Sequence, residues 1–408
     1  MARYLAALIP TGAALAIQFA TFAITARGLG VAQFGQYAAI VGIAAIMTEI
    51  VGLGTADLLV RAVARDTSRF RAQLGNMVIV VGATLIPVTL IGLAIAFGPV
   101  GTKLPIAGAC AGLLGEILAA RSAASAESIM IAHGDTFHAS CVRVGSGATR
   151  LVAALAFFAF ARSLDAWVWA VLAQSVFLTT VLFVLVTRKY GTPLLSWHRQ
   201  DTLTGATFAL NQTSRATQGN VDRLILAWFT TDVIVGTYAA GSRLLVVGLF
   251  PIQVLTRILY PQFFRHGERG IKAARSFALK SIPAMLATGI FSFVAVVAVA
   301  QLLPALLGAD FAPSRHTAIL LALAMPLIGL QYLGADTLTG SGHQAIRAII
   351  SVVATFGFGL TMALGAHLAG VNGVIVAFLS SHLVFTLTMW TFALTVRDKS
   401  VVATVPVA

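Results

Sequence analysis

Apolar residues fall in stretches of about twenty or more, separated by short polar segments, from Leu5 almost to the C-terminus. A helix rises about 1.5 Å per residue, so each stretch can cross a hydrocarbon core of roughly 30 Å. The pattern predicts twelve spanning helices, at about 5–26, 36–60, 74–98, 104–132, 139–160, 166–187, 205–229, 233–262, 276–302, 316–341, 345–368 and 371–396. The runs are long and continuous, which excludes the short alternating strands of a membrane β-barrel. The first run, "LAALIPTGAALAIQFATFAITA", is too long for a signal-peptide core and has no convincing cleavage site, so it is expected to remain as a span.

Composition agrees. Of 408 residues, 58% are hydrophobic and 10% charged, and mean hydropathy is +0.92, which excludes a domain surrounded by water. The clearest polar segments, "RAVARDTSRFR" (61–71), "RKYGTPLLSWHRQD" (188–201), "RHGERGIKAAR" (265–275) and "LGADFAPSRH" (307–316), are too short to fold as domains. Basic residues concentrate after spans 2, 6, 8 and 12: Arg61, Arg65, Arg69, Arg71, Arg188, Lys189, Arg199, Arg265, Arg269, Lys272, Arg275, Arg397 and Lys399. The opposite loops hold little more than Arg27, Lys103, Arg162 and Arg315. The positive-inside rule therefore places both termini in the cytoplasm. Much of the net charge of +13 is a sidedness signal; the basic loops are brief and lack interleaved aromatics, so nucleic acid is not expected as a partner.

The two halves echo each other. "GVAQFGQYAA" (30–39) matches "TDVIVGTYAA" (231–240) in its Gly-x-Tyr-Ala-Ala core, at an offset of 201. Six spans per half, both halves starting on the same side, predict two parallel-repeat lobes, 1–200 and 201–408. A substrate path between such repeats is a common transporter design.

Ionisable residues inside spans cost about 2.5–3.5 kcal/mol each at the bilayer centre, so they face a cavity or a partner. In "NQTSRATQGNVDRLILAWF" (211–229), Asn211, Arg215, Gln218 and Asp222 share one helical face, with Arg223 on its flank. Glu49, Glu116, Arg121, Arg150 and Arg243 lie within spans 2, 4, 5 and 8, and Thr11, Gln18 and Thr25 repeat every seven residues along span 1. Asp57, Arg143 and Arg257 lie closer to an interface and can snorkel to it. Closed structural ion pairs are the competing reading for the central charges. Arginines outnumber acids among them, and the guanidinium fork suits phosphate, so the pattern favours an anionic substrate.

The quoted segments "ARGLGVAQFGQYAAI", "VDRLILAWFTTDVIVGTYAAGSRLL", "LYPQF", "LLGADFAPS" and "AGVNGVIVAFLSS" resemble, in order and over nearly the whole chain, the polysaccharide-transporter (Wzx-type) flippases. These belong to the superfamily that also holds the multidrug and toxin extrusion exporters. The resemblance implies an all-α integral membrane fold of about twelve helices, in two six-helix lobes around a central basic cavity. It implies translocation of an undecaprenyl-diphosphate-linked oligosaccharide from the cytoplasmic to the periplasmic leaflet of the bacterial inner membrane, by alternating access. Arg215, Arg223, Arg243, Arg121, Arg150 and Gln18 would bind substrate. Glu49, Glu116 and Asp222 would couple an ion or balance charge, with Asp222 holding Arg215 and Arg223 in place when the site is empty. The resemblance implies no cofactor. A monomer is expected, with weak association with the pathway's polymerase. Relatives in the extrusion branch use a carboxylate on span 1, and this chain has none there.

Three other readings compete. A glycan polymerase or ligase of the same pathway would carry a large periplasmic loop, and the loops here are too small. An exporter of a small anionic or amphipathic compound would share the fold. A channel fits the two-lobe repeat less well. Cys110 and Cys141 read as packing residues, "GACAG" (108–112) as small-residue helix packing, and the histidines make no metal-ligand spacing. No catalytic constellation is present in the sequence, so no enzyme is expected.

Overall fold

The computed structural model describes residues 2–396, with side chains from Gly12 onward, Asn211 excepted. The side chains of Thr11 and Asn211, and residues Arg397 and Lys399, therefore lie outside that description. The described chain is helical throughout, without strands. In order, the helices are α1 (Ala2–Ile50), α2 (Thr55–Val63), α3 (Phe70–Phe97), α4 (Ile106–Ala132), α5 (Thr136–Phe160), α6 (Leu164–Tyr190) and α7 (Arg199–Phe229). There follow α8 (Asp232–Gly248), α9 (Phe250–Gly267), α10 (Ile271–Ala300), α11 (Leu303–Leu307), α12 (Ala312–Ala322), α13 (Met325–Gly340) and α14 (Gln344–Thr395).

Among the described residues, nine helical stretches are long and apolar enough to cross a membrane. Two of them each contain two spans. In α1 the only non-helical residue is Gly30, at φ 71, and the chain folds back there. The rings of Phe22 and Phe34, which a straight helix would hold roughly 18 Å apart, lie with their centres 5.6 Å apart. In α14 the reversal is at Ala369 and Gly370, and it brings Thr361 Oγ1 to 2.9 Å from Ser381 Oγ. α7 makes the remaining span; its polar residues keep it off the apolar set. The total is twelve, as the sequence predicts. The loop expected at 27–35 shrinks to a single residue and that at 369–370 is as expected, because a glycine with positive φ reverses the chain without a polar segment.

Span 2 departs from a continuous helix. It breaks at 51–54, where Gly52, Leu53 and Gly54 all have positive φ (81, 43 and 67). Hydropathy averages over such a break, and only the glycine pair in "VGLGT" signals it. Spans 8 and 10 are interrupted before Pro251 and Pro326, each in the first turn of the helix that follows. Proline lacks the N–H that would continue the preceding ladder, and its ring crowds the carbonyl four residues back.

By packing, the chain forms two compact units: the chain up to Ala239 with Ala305–Phe311, and Ala240–Pro304 with the chain from Ala312 onward. This division falls later than 200/201 because α7 lies along α1. In the first unit α4 runs against α6, and Gly108, Gly112 and Gly115 face it; a Cβ on Gly115 would stand 2.8 Å from Val171 and 2.9 Å from the Leu172 nitrogen. That is the packing role the "GACAG" spacing suggests. The segment between α6 and α7 is strapped to α3. Leu194 N–H donates to the Arg71 carbonyl (2.8 Å), His198 N–H to Asn76 Oδ1 (3.1 Å) and Arg71 Nε to the Thr192 carbonyl (3.0 Å). Gly75 makes room for it, since a Cβ there would overlap the Leu194 carbonyl. In the second unit α10 packs on α13, with Gly289 against Pro326.

The turn between α4 and α5 carries a polar cluster outside the spans. Asp135 caps α5 by accepting from His138 N–H (3.3 Å), and it also accepts from Lys189 Nζ, from the Tyr190 hydroxyl (3.0 Å) and at His138 Nδ1 (2.7 Å). The Lys189 ammonium, then His138, hold its carboxyl well below the ordinary carboxylate range. A depressed folded pKa means the contribution is present above the usual carboxylate pKa and is lost as pH falls through the folded value. Asp135→Asn keeps a good cap and removes the charge. The expected result is a lower thermal midpoint at pH 7, with the gap to wild type narrowing only below about pH 4, read by thermal unfolding across pH.

Candidate substrate path

α7 is the least apolar span, and its local bonding explains how it remains a helix. With no water in the hydrocarbon, side-chain donors turn to carbonyls one turn back. Ser214 donates to Leu210 (2.9 Å), Thr217 to Thr213 (2.8 Å) and Asn220 to Ala216 (2.8 Å). The helix seats closely on the second span. A Cβ on Gly42 of α1 would stand 3.3 Å from Leu224, and Gly54 and Gly205 approach so closely that a Cβ on either would overlap the other segment's backbone carbonyl.

The structure sorts the candidate charges by surroundings. Arg215 is exposed at the middle of α7 and donates to Gln212 Oε1, one turn away. Gln18 on the first arm of α1 is exposed, as is Arg243 on α8. A second set is enclosed. Arg150 donates to Glu116 Oε1, to the Tyr37 hydroxyl (2.7 Å) and to Gln174 Oε1 (3.3 Å), with its guanidinium 5.3 Å from the Trp167 ring centre. Tyr37 donates to the same Glu116 oxygen (2.5 Å), and Gln174 is fixed in turn by donating to Thr149 (2.9 Å). Glu116 and Arg150 thus form a closed ion pair between α4 and α5.

Asp222 is buried beside Arg223. It accepts from the Tyr238 hydroxyl (2.8 Å) and from the Arg223 backbone N–H (2.8 Å), and the side-chain partner that fixes it is Tyr238, not Arg215. Tyr37 and Tyr238, 201 residues apart, each hold a carboxylate. The glycines of the shared motif pair as well: a Cβ on Gly35 would overlap the Asp232 carbonyl, and one on Gly236 the Val31 carbonyl, positions again 201 apart. Gln36 (2.9 Å) and Lys103 (2.7 Å) both donate to Asp232 Oδ2 at this contact.

Glu49 and Arg121 stand apart from these pairs. Glu49 is partly buried and forms no hydrogen bond or ion pair; Arg121, Asp57 and Arg215 are the charges that act on it. Arg121 is buried against the break at Gly52. Arg143 pairs with Glu127 near the end of α4. Sequence reading missed Asp336 on α13 and Arg347 on α14. They pair at 3.2 Å, with Arg347 also donating to Thr339 Oγ1 (2.7 Å). The criterion applied elsewhere, an ionisable residue inside an apolar run, would have found both.

A guanidinium exposed halfway along a span is costly against lipid, and such groups face a partner or a water-filled cavity. The class this defines is a multi-pass membrane exporter or flippase. The chain belongs to the polysaccharide biosynthesis protein family, whose sequence model matches residues 6–267, in line with the ordered motifs. No curated protein matches it. Among solved structures it is similar to an inward-facing multidrug resistance MATE transporter of the MOP superfamily, at TM-score 0.73 and 17% identity over 93% of each chain. An outward-facing structure of such a transporter aligns at 0.63 and 17% identity, over 94% of this chain and 93% of that one. A MOP superfamily transporter from Pyrococcus furiosus aligns at 0.60 and 18% identity, with the same coverage. At these identities the likeness establishes the fold, that of the MATE transporters.

Two sets of variants test this sorting. Glu116→Gln, which leaves Arg150 buried and uncompensated, is expected to cost about 3–5 kcal/mol; Arg215→Gln should stay within about 0.5 kcal/mol of wild type. Gly35→Val or Gly236→Val should cost about 1–3 kcal/mol by forced overlap, whereas Gly219→Ala, with open space around the added carbon, should not destabilise. Thermal unfolding of the purified variants reads both comparisons; equal losses for Glu116→Gln and Arg215→Gln would refute the division into enclosed and exposed charges.

Proposed function

We propose that the protein is a flippase that moves an undecaprenyl-diphosphate-linked oligosaccharide from the cytoplasmic to the periplasmic leaflet by alternating access. The observation that carries this reading is Arg215: a guanidinium exposed at mid-span on the most polar helix, in a member of the polysaccharide biosynthesis family. Its fork of donors suits a diphosphate. Gln18 and Arg243, exposed on their own spans, are further candidates to contact polar cargo. The sugars need a hydrated polar surface, and the lipid tail remains in hydrocarbon.

In this reading 1–200 and 201–408 are the two six-helix repeats, both termini are cytoplasmic and the membrane is the bacterial inner membrane. Glu116 and Asp222 balance charge inside the bundle. Glu49, a partly buried carboxylate with no hydrogen bond, is the group assigned to take up a proton or cation during turnover. The protein works as a monomer, in the neighbourhood of the pathway's polymerase. A second reading, export of a soluble anion, is supported by the multidrug transporters among its structural neighbours.

The test is transfer of a fluorescent undecaprenyl-diphosphate oligosaccharide between leaflets of proteoliposomes. Wild type should transfer it, and Arg215→Ala, folded, should lose at least about tenfold in rate, the worth of one charge-assisted contact. Transfer by both at equal rate would reduce Arg215 to a structural residue. No transfer by either, with an imposed ion gradient, would favour the soluble anion.

A further inference from the structure

The non-helical segment between α6 and α7 carries large apolar side chains where the chain has already left the spans. Leu194, Leu195 and Trp197 are 59%, 67% and 61% exposed, and three such groups in one short loop mark a surface that meets something other than water. The bonds that hold the segment set its depth. Leu194 N–H donates to the Arg71 carbonyl (2.8 Å) and His198 N–H to Asn76 Oδ1 (3.1 Å), so it runs beside the first turns of α3. Those turns open the apolar stretch Thr67–Phe97. The segment therefore lies level with the start of a span, at the membrane surface and not beyond it. Cations bracket it. Arg188 sits in the last turn of α6, Arg199 is the first residue of α7, and Arg71 extends along Gly191 to the Thr192 carbonyl (3.0 Å); all three are exposed. The nearby acids are engaged elsewhere: Asp66 with Arg69 (3.4 Å), Asp135 with Lys189, and Asp201 with Gln73 (2.9 Å). Among the described residues neither Arg188 nor Arg199 has an ion-pair partner.

Tryptophan settles where headgroups meet hydrocarbon, and basic residues beside a span attract anionic lipid. We propose that 191–198 is a binding surface for anionic phospholipid. Leu194, Leu195 and Trp197 sit at the headgroup level, and Arg188, Arg199 and Arg71 draw in the phosphates around them. A zwitterionic lipid also offers a phosphate, but its ammonium cancels the long-range attraction, so preference follows the net charge of the headgroup. The surface lies within one unit. It requires only that the chain spans a membrane, and does not depend on the transport reading.

The experiment uses the full-length protein in phosphatidylcholine nanodiscs, into which phosphatidylglycerol or phosphatidylcholine brominated on the upper acyl chain is titrated. Bromine quenches tryptophan at short range, and the difference between wild type and Trp197→Phe isolates the signal of Trp197 from that of the remaining tryptophans. Brominated phosphatidylglycerol should quench Trp197 at a lower mole fraction than brominated phosphatidylcholine. Arg188→Gln and Arg199→Gln should each raise the phosphatidylglycerol needed for half-maximal quenching about fivefold and leave the phosphatidylcholine curve unchanged. Equal curves for the two lipids in wild type overturn the proposal, whether or not the variants fold. So does a phosphatidylglycerol curve that the folded double variant does not move. No quenching of Trp197 by either lipid also overturns it, and assigns the surface to a protein partner. A wild type that gathers phosphatidylglycerol but transfers no lipid-linked glycan keeps this surface and removes the flippase reading.

Discussion

A polar group inside hydrocarbon has no water to fall back on, and leaving a donor or acceptor unmet there costs several kcal/mol. The helices of this chain are arranged around that requirement. On α7 the hydroxyls and amides of Ser214, Thr217 and Asn220 return to carbonyls of their own helix. Tyr37 and Tyr238 place phenols on Glu116 and Asp222, so that two carboxylates are enclosed without being left bare. Against this background the groups that stay open stand out. Arg215 is exposed at mid-span, Glu49 forms no hydrogen bond, and Arg121 keeps two buried donors unmet.

Much of the fold was legible in the sequence, because hydropathy over twenty residues reports the membrane itself. Even α7, too polar for a composition test, shows at 205–229 in the same alternation of apolar stretches and short polar segments. The break at 51–54 was not legible, since Gly52, Leu53 and Gly54 are as apolar on average as an unbroken helix. The candidate site was legible in part. Periodicity put Arg215 and Asp222 on one face, yet a face does not say what stands opposite it. Asp222 meets Tyr238, and Arg150 meets Glu116, through partners distant in the sequence that no local spacing reveals. Asp336 and Arg347 show the converse, a pair that was visible as charges in apolar runs and was passed over.

Close backbone approach sets the precision of the first unit. Gly35 and Gly236 each leave room for a carbonyl of the other helix, and Gly54 and Gly205 do the same farther along. With hydrocarbon outside as well as in, helices gain little from hiding apolar surface, and contact between backbones supplies cohesion that burial cannot. Glycines therefore mark the seams of this molecule more reliably than large hydrophobic residues do.

The reversals at Gly30 and Gly370 bear on how the chain is made. Only one or two non-helical residues join the arms of α1 and of α14, so each helix is a tightly bent hairpin. Each pair must enter together, as a bent hairpin whose tip is the first part to cross. In each pair the sidedness of one arm therefore fixes that of the other. An insertion error there would invert a hairpin, and every later helix would inherit the mistake.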